Sequence, residues 1–277
     1  MVYLFSKAAL SDVSLPQFGF WWFLIAIFWN SLMAAHPRGG FSIKSFTQAD
    51  YRTLLLIGLI EIVATTSFYA AIAVSPNPAI PSFLRNLEYL FVTVFGFVLL
   101  GERFGKVALA GAILTLSGAF IISLRVTSAG SFFTAASGLM LLSTSFYAVR
   151  TITAKKHIRE ISPVVLALNR AIFLVLFALV FMLAEKQTFK IPTHAFLNIL
   201  AGSFIGPFLT SIFQYSALRY IEASRAAIVQ STTGLFVLVG AFLIFGNFPT
   251  PVQIFGGLIT MAGVALMMRK GLKQGSA

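Results

Sequence analysis

The chain has 277 residues, of which 58% are hydrophobic and only 10% charged. Soluble domains carry about 25% Asp, Glu, Lys and Arg, so this composition excludes a protein solvated mainly by water, and its apolar content excludes a disordered chain. The net charge of +12 does not point to nucleic acid, because no basic run sits beside a soluble domain and integral membrane proteins keep surplus Lys and Arg in cytoplasmic loops.

A membrane helix needs about 20 mostly apolar residues. The first apolar piece, Met1 to Leu10, is too short to cross, and it lacks the basic n-region and small-residue cleavage site of a signal peptide. Full-length candidates follow at 16–35, 53–74, 79–100, 107–124, 132–149, 163–184, 195–218, 226–245 and 251–268. Pro16, Pro163 and Pro251 stand at span openings, where a missing N–H costs little. Ser75-Pro76-Asn77-Pro78 forces a turn between the third and fourth segments. Trp21 and Trp22, near the outer end of the second segment, read as interface anchors. Most of the 30 Phe residues are expected to face lipid or pack between helices. With no cysteine, there is no disulfide scaffold, thiolate zinc site or thiol nucleophile. His36, His157 and His194 fall in polar stretches, so neither a metal cluster nor a cofactor is expected.

The two halves match at offsets of 145 to 148 residues. Gly101, Gly111, Thr115, Gly118 and Arg125 meet Gly246, Gly256, Thr260, Gly263 and Lys270 at 145; Tyr69 meets Tyr215 at 146; Lys7 and Ser14 meet Lys155 and Ser162 at 148. Repeats built on an odd number of spans run through the bilayer in opposite senses. The loop charges agree with inversion. Glu102, Arg103 and Lys106 follow the fourth span, whereas the counterpart 246–250 is uncharged; 75–78 is uncharged, whereas 219–225 holds Arg219, Glu222 and Arg225.

The expected fold is therefore all-α and integral to the membrane, an inverted repeat of 5+5 transmembrane helices divided at 1–128 and 129–277. About 22 residues precede Lys155 within its span and only six precede Lys7, so the first helix reads as truncated by roughly 15 residues, giving nine complete spans plus a partial one. A misplaced start or a trimmed chain is the favoured origin, since an exposed half-helix leaves backbone groups unsatisfied in lipid. With the C-terminus inside, the cytoplasmic connections hold Arg38, Lys44, Arg52, Arg103, Lys106, Arg150, Lys155, Lys156, Arg159, Arg219, Arg225, Arg269, Lys270 and Lys273. The outside keeps Lys7, Arg125, Lys186 and Lys190. Fourteen against four sets the orientation by the positive-inside rule.

Leu99-Leu100-Gly101-Glu102-Arg103-Phe104 at the end of one span, Gly111 and Gly118 in the next, and Arg85-Asn86-Leu87-Glu88-Tyr89-Leu90-Phe91 upstream resemble the EamA-like branch of the drug/metabolite transporter superfamily. The resemblance runs from Lys7 to about Lys270. Asn247 departs from it where the second repeat often has an acidic residue. The resemblance implies a secondary carrier of a small metabolite, an amino acid or related compound, often exported, working by alternating access around a cavity between the repeats. It implies a bacterial cytoplasmic (inner) membrane as the location.

Charge inside a span costs about 2.5–3.5 kcal/mol per residue at mid-membrane. Glu61 and Glu88 lie about 4 and 2 Å from the centres of their spans, Arg85 about 7 Å outward and Arg170 about 5 Å inward of theirs. Arg85 and Glu88, at i and i+3, face one side. They form either a self-neutralising pair or a substrate-binding pair that a zwitterion enters by exchanging partners. Glu61 either pairs with Arg85 from the neighbouring helix or acts as a cavity acid for proton coupling. Arg170 either snorkels to the cytoplasmic interface or binds an anion. Glu61, Thr65 and Tyr69 share one helix face, as do Ser143, Tyr147 and Arg150, and Ser203, Thr210 and Gln214. Gln230 to Thr233 is a further polar run. Small polar residues also glue helices together, so packing is the alternative reading for half of these. Gly202 and Gly206 allow close helix contact, and Pro207 is expected to kink its helix near mid-membrane, opposite Glu61 in the repeat.

Candidate substrate-binding residues are thus Glu61, Thr65, Tyr69, Arg85, Glu88, Tyr147, Arg170, Gln214 and Gln230, with Gly206 and Pro207 as hinge and no catalytic residue. Expected partners are a small-molecule substrate and the lipid bilayer, with a proton as candidate coupling ion, a homodimer as candidate assembly and no nucleic acid. The competing readings are a non-transporting membrane scaffold or truncated inactive carrier, and an intramembrane enzyme acting on a lipid. The enzyme reading is weakened by spans that contain no Asp.

Overall fold

In the computed structural model the described residues are 2–35, 46–74, 84–123, 135–233 and 250–268. They form α1 (Val2–Leu10), α2 (Leu15–Ala35), α3 (Gln48–Val74), α4 (Asn86–Leu100) and α5 (Lys106–Ser123). In the second half follow α6 (Ala135–His157), α7 (Pro163–Ala184), α8 (Thr193–Tyr220), α9 (Ala223–Gln230) and α10 (Pro251–Met268). No strand occurs among the described residues. Every expected span overlaps one of these helices; the parts at 79–83, 124, 132–134 and 234–245 fall outside the described residues. Helices α2, α3, α7 and α8 are long and apolar enough to cross a bilayer, and α4, α5 and α10 are shorter apolar helices.

Local chemistry sets the ends. Ser162 caps α7, its side chain accepting from the Val165 N–H at 3.3 Å, with Pro163 in the first turn. Gly101 closes α4 in the left-handed region (φ 65°), and the Glu102 N–H folds back to the Gly96 carbonyl at 3.1 Å. The last carbonyls of a helix lack partners within it, and two lysines supply them. Lys7 donates to the Ile72 carbonyl at 3.1 Å, and Lys155 to those of Leu218 and Ile221, both at 2.7 Å. Lys7 and Lys155 are the pair matched at offset 148, and Ile72 and Leu218 stand 146 apart, the offset of Tyr69 and Tyr215.

Proline breaks α8 as expected, and the break takes a particular form. Residues Phe204–Thr210 adopt a π-helical turn with Pro207 inside it, which widens the helix where the Pro207 N–H is missing. The Thr210 hydroxyl satisfies the Ile205 carbonyl five residues back, at 2.7 Å.

Small residues decide the closest packing. Helices α5 and α10 cross along Gly111, Thr115, Gly118, Gly256, Thr260 and Gly263. A Cβ on Gly111 would stand 2.6 Å from the Met267 backbone nitrogen, and one on Gly263 would stand 2.5 Å from that of Thr115. The residues that define the repeat register therefore pack against each other. Gly202 makes room for Trp22, whose ring would lie 2.3 Å from an added Cβ, and Gly206 faces Val2. Trp22 is accordingly buried against Phe18 and Tyr69, not an interface anchor. Burying its large ring against a glycine gains more apolar contact than the headgroup region offers. Trp21 keeps an outer position and donates its Nε1–H to the Phe189 carbonyl.

The distribution of polarity is inverted relative to a soluble bundle. Large apolar side chains face outward, Val98 at 74% and Phe213 at 68% exposure among them, while Glu61, Glu88 and Arg150 are at 1% or less. A hydrocarbon surround explains both observations. Two large apolar clusters fill most of the interior, and a small one of Ala108, Ala112, Ile228 and Met267 lies between α5, α9 and α10. One large cluster holds Phe18, Trp22, Ala64, Phe68, Met140, Leu174 and Ile199. The other holds Ile57, Ile152, Ile161, Leu166, Tyr215 and Leu218. Along α3, α6, α7 and α8 the chain passes from one cluster to the other through a polar layer.

Candidate functional site

That polar layer is built from five helices packed on one another. Helix α3 supplies Glu61 and Thr65, one turn apart on the same face. Helix α6 supplies Tyr147 and Arg150, and α7 supplies Arg170. The segment of α8 just past the π turn supplies Ser211 and Tyr215. Helix α4 and the residue before it supply Glu88 and Arg85.

Glu61 is the centre. Its Oε1 receives Arg150 Nη1 at 3.1 Å and the Tyr215 hydroxyl at 3.1 Å. Its Oε2 accepts the Thr65 hydroxyl at 2.9 Å and stands in an ion pair 3.2 Å from Arg170 Nε. Because Thr65 spends its proton on Glu61, the Tyr147 hydroxyl, 2.8 Å away, donates to Thr65. Arg170 donates further to Ser211 Oγ at 3.0 Å and to Thr65 and Tyr147, both at 3.3 Å. Arg150 reaches Glu88 at 3.7 Å, and Arg85 pairs with Glu88 at 3.2 Å. The result is an alternating chain, Arg85, Glu88, Arg150, Glu61, Arg170.

The Tyr147 ring organises all three cations. The guanidinium carbons of Arg85, Arg150 and Arg170 lie 5.0, 4.9 and 5.8 Å from its centroid. Such contacts are worth about 2 kcal/mol or more when desolvated. The Phe68 ring also contacts Arg85, at 4.7 Å.

A cavity of about 330 Å³ leads to this layer. It starts between Leu15 and Pro16 at the head of α2 and Glu185 at the tail of α7, and it ends at Thr65. Phe18, Phe23, Tyr69, Leu174, Phe177 and Phe181 are the large apolar side chains of its inner wall. Arg170 lies one helical turn beyond Leu174 on the same face of α7. Glu102 lies at the opposite end of the bundle. Its carboxylate accepts the N–H groups of Ala223 and Ser224 at 2.7 and 2.9 Å, and the Ser224 hydroxyl. This caps the N-terminus of α9, where negative charge is favoured. Gly96 leaves the space, since a Cβ there would sit 2.5 Å from Glu102 Oε2.

A sequence model of the EamA-like transporter family matches residues 1–124 and again 134–269. The chain belongs to the EamA-like transporter family. An uncharacterized transporter of Archaeoglobus fulgidus is 26% identical over 287 aligned positions, covering 97% of this chain and 92% of the relative. A second uncharacterized transporter from that organism is 22% identical over 185 positions, 67% of this chain and 58% of the relative's own length. A solved crystal structure superposes with a TM-score of 0.75 over 99% of this chain and 96% of the other, at 14% identity, a likeness of fold. The EamA-like chain is thus a multi-pass integral membrane protein of a transporter family.

Six of the expected site residues, Glu61, Thr65, Arg85, Glu88, Tyr147 and Arg170, come together in the polar layer. Arg85 stands immediately before α4, at its N-cap position, without a side-chain cap hydrogen bond. Tyr69 lies one turn further out, in the cavity wall and among Phe18, Trp22, Phe23 and Phe68. Gln214 is half-buried beside Tyr215 and outside the ion-pair network. Gln230 is half-buried at the end of α9. Gly206 and Pro207 lie in the π turn.

Three expectations change. Glu61 pairs with Arg150 and Arg170, not Arg85, because α6 and α7 flank α3 on its polar face. Arg170 does not snorkel, since its reach is taken up by Glu61, Ser211 and Tyr147. Arg150 is no loop residue. Helix α6 continues to His157, so Arg150 lies inside it at 1% exposure. The stripe Ser143, Tyr147, Arg150 already carried that signal. Tyr215 and Ser211 had no such signal, because the π turn resets the face of α8 that reaches Arg170. Among the described residues no group of three or more His, Cys, Asp or Glu gathers as a metal site.

Proposed function

We propose that the chain is a secondary carrier that moves a small metabolite, an amino acid or related compound, across a cytoplasmic membrane by alternating access between two inverted repeats. The supporting observation is the alternating charge chain buried just beyond Thr65, where a cavity that runs in from the ends of α2 and α7 stops. A charged cluster in that place costs several kcal/mol to bury, and a structural role alone would be met by apolar packing. With Arg150 removed from the cytoplasmic set, the basic residues still divide thirteen against four. The cavity then faces outward, the Glu102 cap on α9 lies inward and the C-terminus is cytoplasmic. Residues 1–128 and 129–277 act as the two units, and export is the direction favoured by the family.

Glu61 holds Arg150 and Arg170 in place while the cavity is empty. A substrate carboxylate takes over Arg170, and its apolar body rests on the aromatic wall. A proton on Glu61 is the second candidate trigger, since it would weaken the same two ion pairs. The π turn at Pro207 supplies the give in α8 that repositions Ser211 and Tyr215. Closure of the outer side then accompanies release of Glu102 from α9.

The test is flux in vesicles carrying the purified full chain, using substrates found by a thermal-shift screen, because a ligand stabilises the native state by mass action. Arg170→Gln and Tyr147→Phe are expected to reduce flux at least about tenfold at normal membrane abundance. Unchanged flux in both variants refutes the site assignment.

A further inference from the structure

We propose that the cavity accepts an organic acid with a single carboxylate on an apolar, ring-sized body and no ammonium group. This rests on the carrier reading of the same site and narrows its substrate from amino acids and related compounds to the related carboxylates that lack an amine. Three arginines and two glutamates sum to one net positive charge within the polar layer. All eight acidic residues of the chain, namely Asp12, Asp50, Glu61, Glu88, Glu102, Glu160, Glu185 and Glu222, lie among the described residues. No other acid therefore neutralises the cluster from within a span. A bound carboxylate brings the sum to zero. A zwitterion leaves it at one, and an amine raises it to two, in a place where each uncompensated charge is expensive.

The hydrogen-bond inventory agrees. Glu61 is engaged by two guanidiniums and two hydroxyls, and Glu88 by two guanidiniums. An ammonium arriving beside them would have to displace an arginine. The remaining cavity acid, Glu185, is fifteen residues from Arg170, about 22 Å along α7. No small zwitterion spans that distance. Thr65 lines the inner end of the cavity, and Arg170 lies one turn beyond the lining Leu174; a carboxylate entering there takes over the guanidinium now shared by Glu61, Ser211, Thr65 and Tyr147, a charge-assisted pairing suited to carboxylate oxygens. The wall presents five aromatic rings, Phe18, Phe23, Tyr69, Phe177 and Phe181, and the volume lies near the lower end for ligand pockets, about 300–1,000 Å³.

Binding of 3-phenylpropionate, phenylalanine and 2-phenylethylamine to the purified full chain tests this directly. The expected order places 3-phenylpropionate roughly tenfold or more ahead of both others. Arg170→Gln is expected to erase that lead, and the cavity-filling Thr66→Trp to abolish binding. A tighter fit for phenylalanine or the amine overturns the proposal. So does absence of 3-phenylpropionate binding at millimolar concentration, or binding unaffected by Thr66→Trp. Vesicle flux separates the two claims. Anion-selective binding without flux sinks the carrier reading and leaves the ligand class standing. Flux of the amine in preference to the acid sinks the ligand class and leaves the carrier.

Discussion

The net charge of the polar layer predicts that losing an acid destabilises the fold more than losing an arginine. Glu61→Gln keeps the side-chain shape and retains hydrogen bonding to Thr65 and Tyr215, but it leaves Arg150 and Arg170 without their shared carboxylate. The layer goes from one net positive charge to two. Breaking a buried pair in this way costs about 3–5 kcal/mol. Arg150→Met removes contacts of 3.1 and 3.7 Å, yet Glu61 keeps Arg170 and Glu88 keeps Arg85, and the layer becomes neutral. The loss is then that of hydrogen bonds to charged groups, about 1.5–3 kcal/mol. The double variant returns the layer to one net positive charge. Its cost is expected to fall short of the sum of the singles by about 0.5–3 kcal/mol. Equilibrium unfolding in mixed detergent micelles, followed by tryptophan fluorescence, measures all three. An Arg150→Met variant as unstable as Glu61→Gln, or strict additivity in the double, refutes the charge argument.

Other outcomes follow from single contacts. Gly111→Ala drives a methyl into the α10 backbone and is expected to cost about 1–3 kcal/mol in the same assay. Gly138→Ala, whose Cβ would meet nothing within 4 Å, is expected to leave stability unchanged or slightly raised. Glu102→Gln weakens the cap on α9 by about 1–2 kcal/mol, which hydrogen exchange reports as faster exchange at Ala223 and Ser224. Pro207→Ala restores a backbone N–H and regularises the π turn, so the variant is expected to melt at a higher temperature while vesicle flux falls.

Much of the fold was legible because membrane helices announce themselves by length and apolarity. Pro163 opening α7 and the proline break in α8 were readable from one residue each. The site was partly legible for the same reason. A charge in an apolar run stands out, so Glu61, Glu88, Arg85 and Arg170 were visible at once. Arg150 was hidden by its position. It follows the apolar run and precedes Lys155 and Lys156, so a hydropathy reading assigns it to the loop, although helical spacing from Tyr147 points it inward. Partner choice was not legible at all. Which arginine meets Glu61 depends on which helices flank α3, and Arg85 and Arg150 are equally good partners by chemistry. Trp22 shows the same limit, because its burial depends on a glycine in a helix 180 residues away.

Where the two halves pack, the residues matched by the repeat make matching contacts. Thr115 bonds back to the Gly111 carbonyl and Thr260 to that of Gly256, both at 2.8 Å. Lys7 and Lys155 cap corresponding helix ends. The charged layer does not follow this symmetry. At the repeat offset of 146, Glu61 corresponds to Pro207, so one half holds the anchoring carboxylate and the other holds the helix break. Under the two-repeat reading, this division separates binding from movement. The carboxylate fixes two arginines until a ligand competes for them, and the break lets α8 change its path without melting. Transferring the acid to the other half, as in Glu61→Gln with Pro207→Glu, would place a carboxylate in a regular helix with no adjacent arginine pair. That exchange is expected to destroy both binding and flux rather than relocate them. Retained flux in the exchanged variant would show that the two positions are interchangeable and that the division of labour argued from them is wrong.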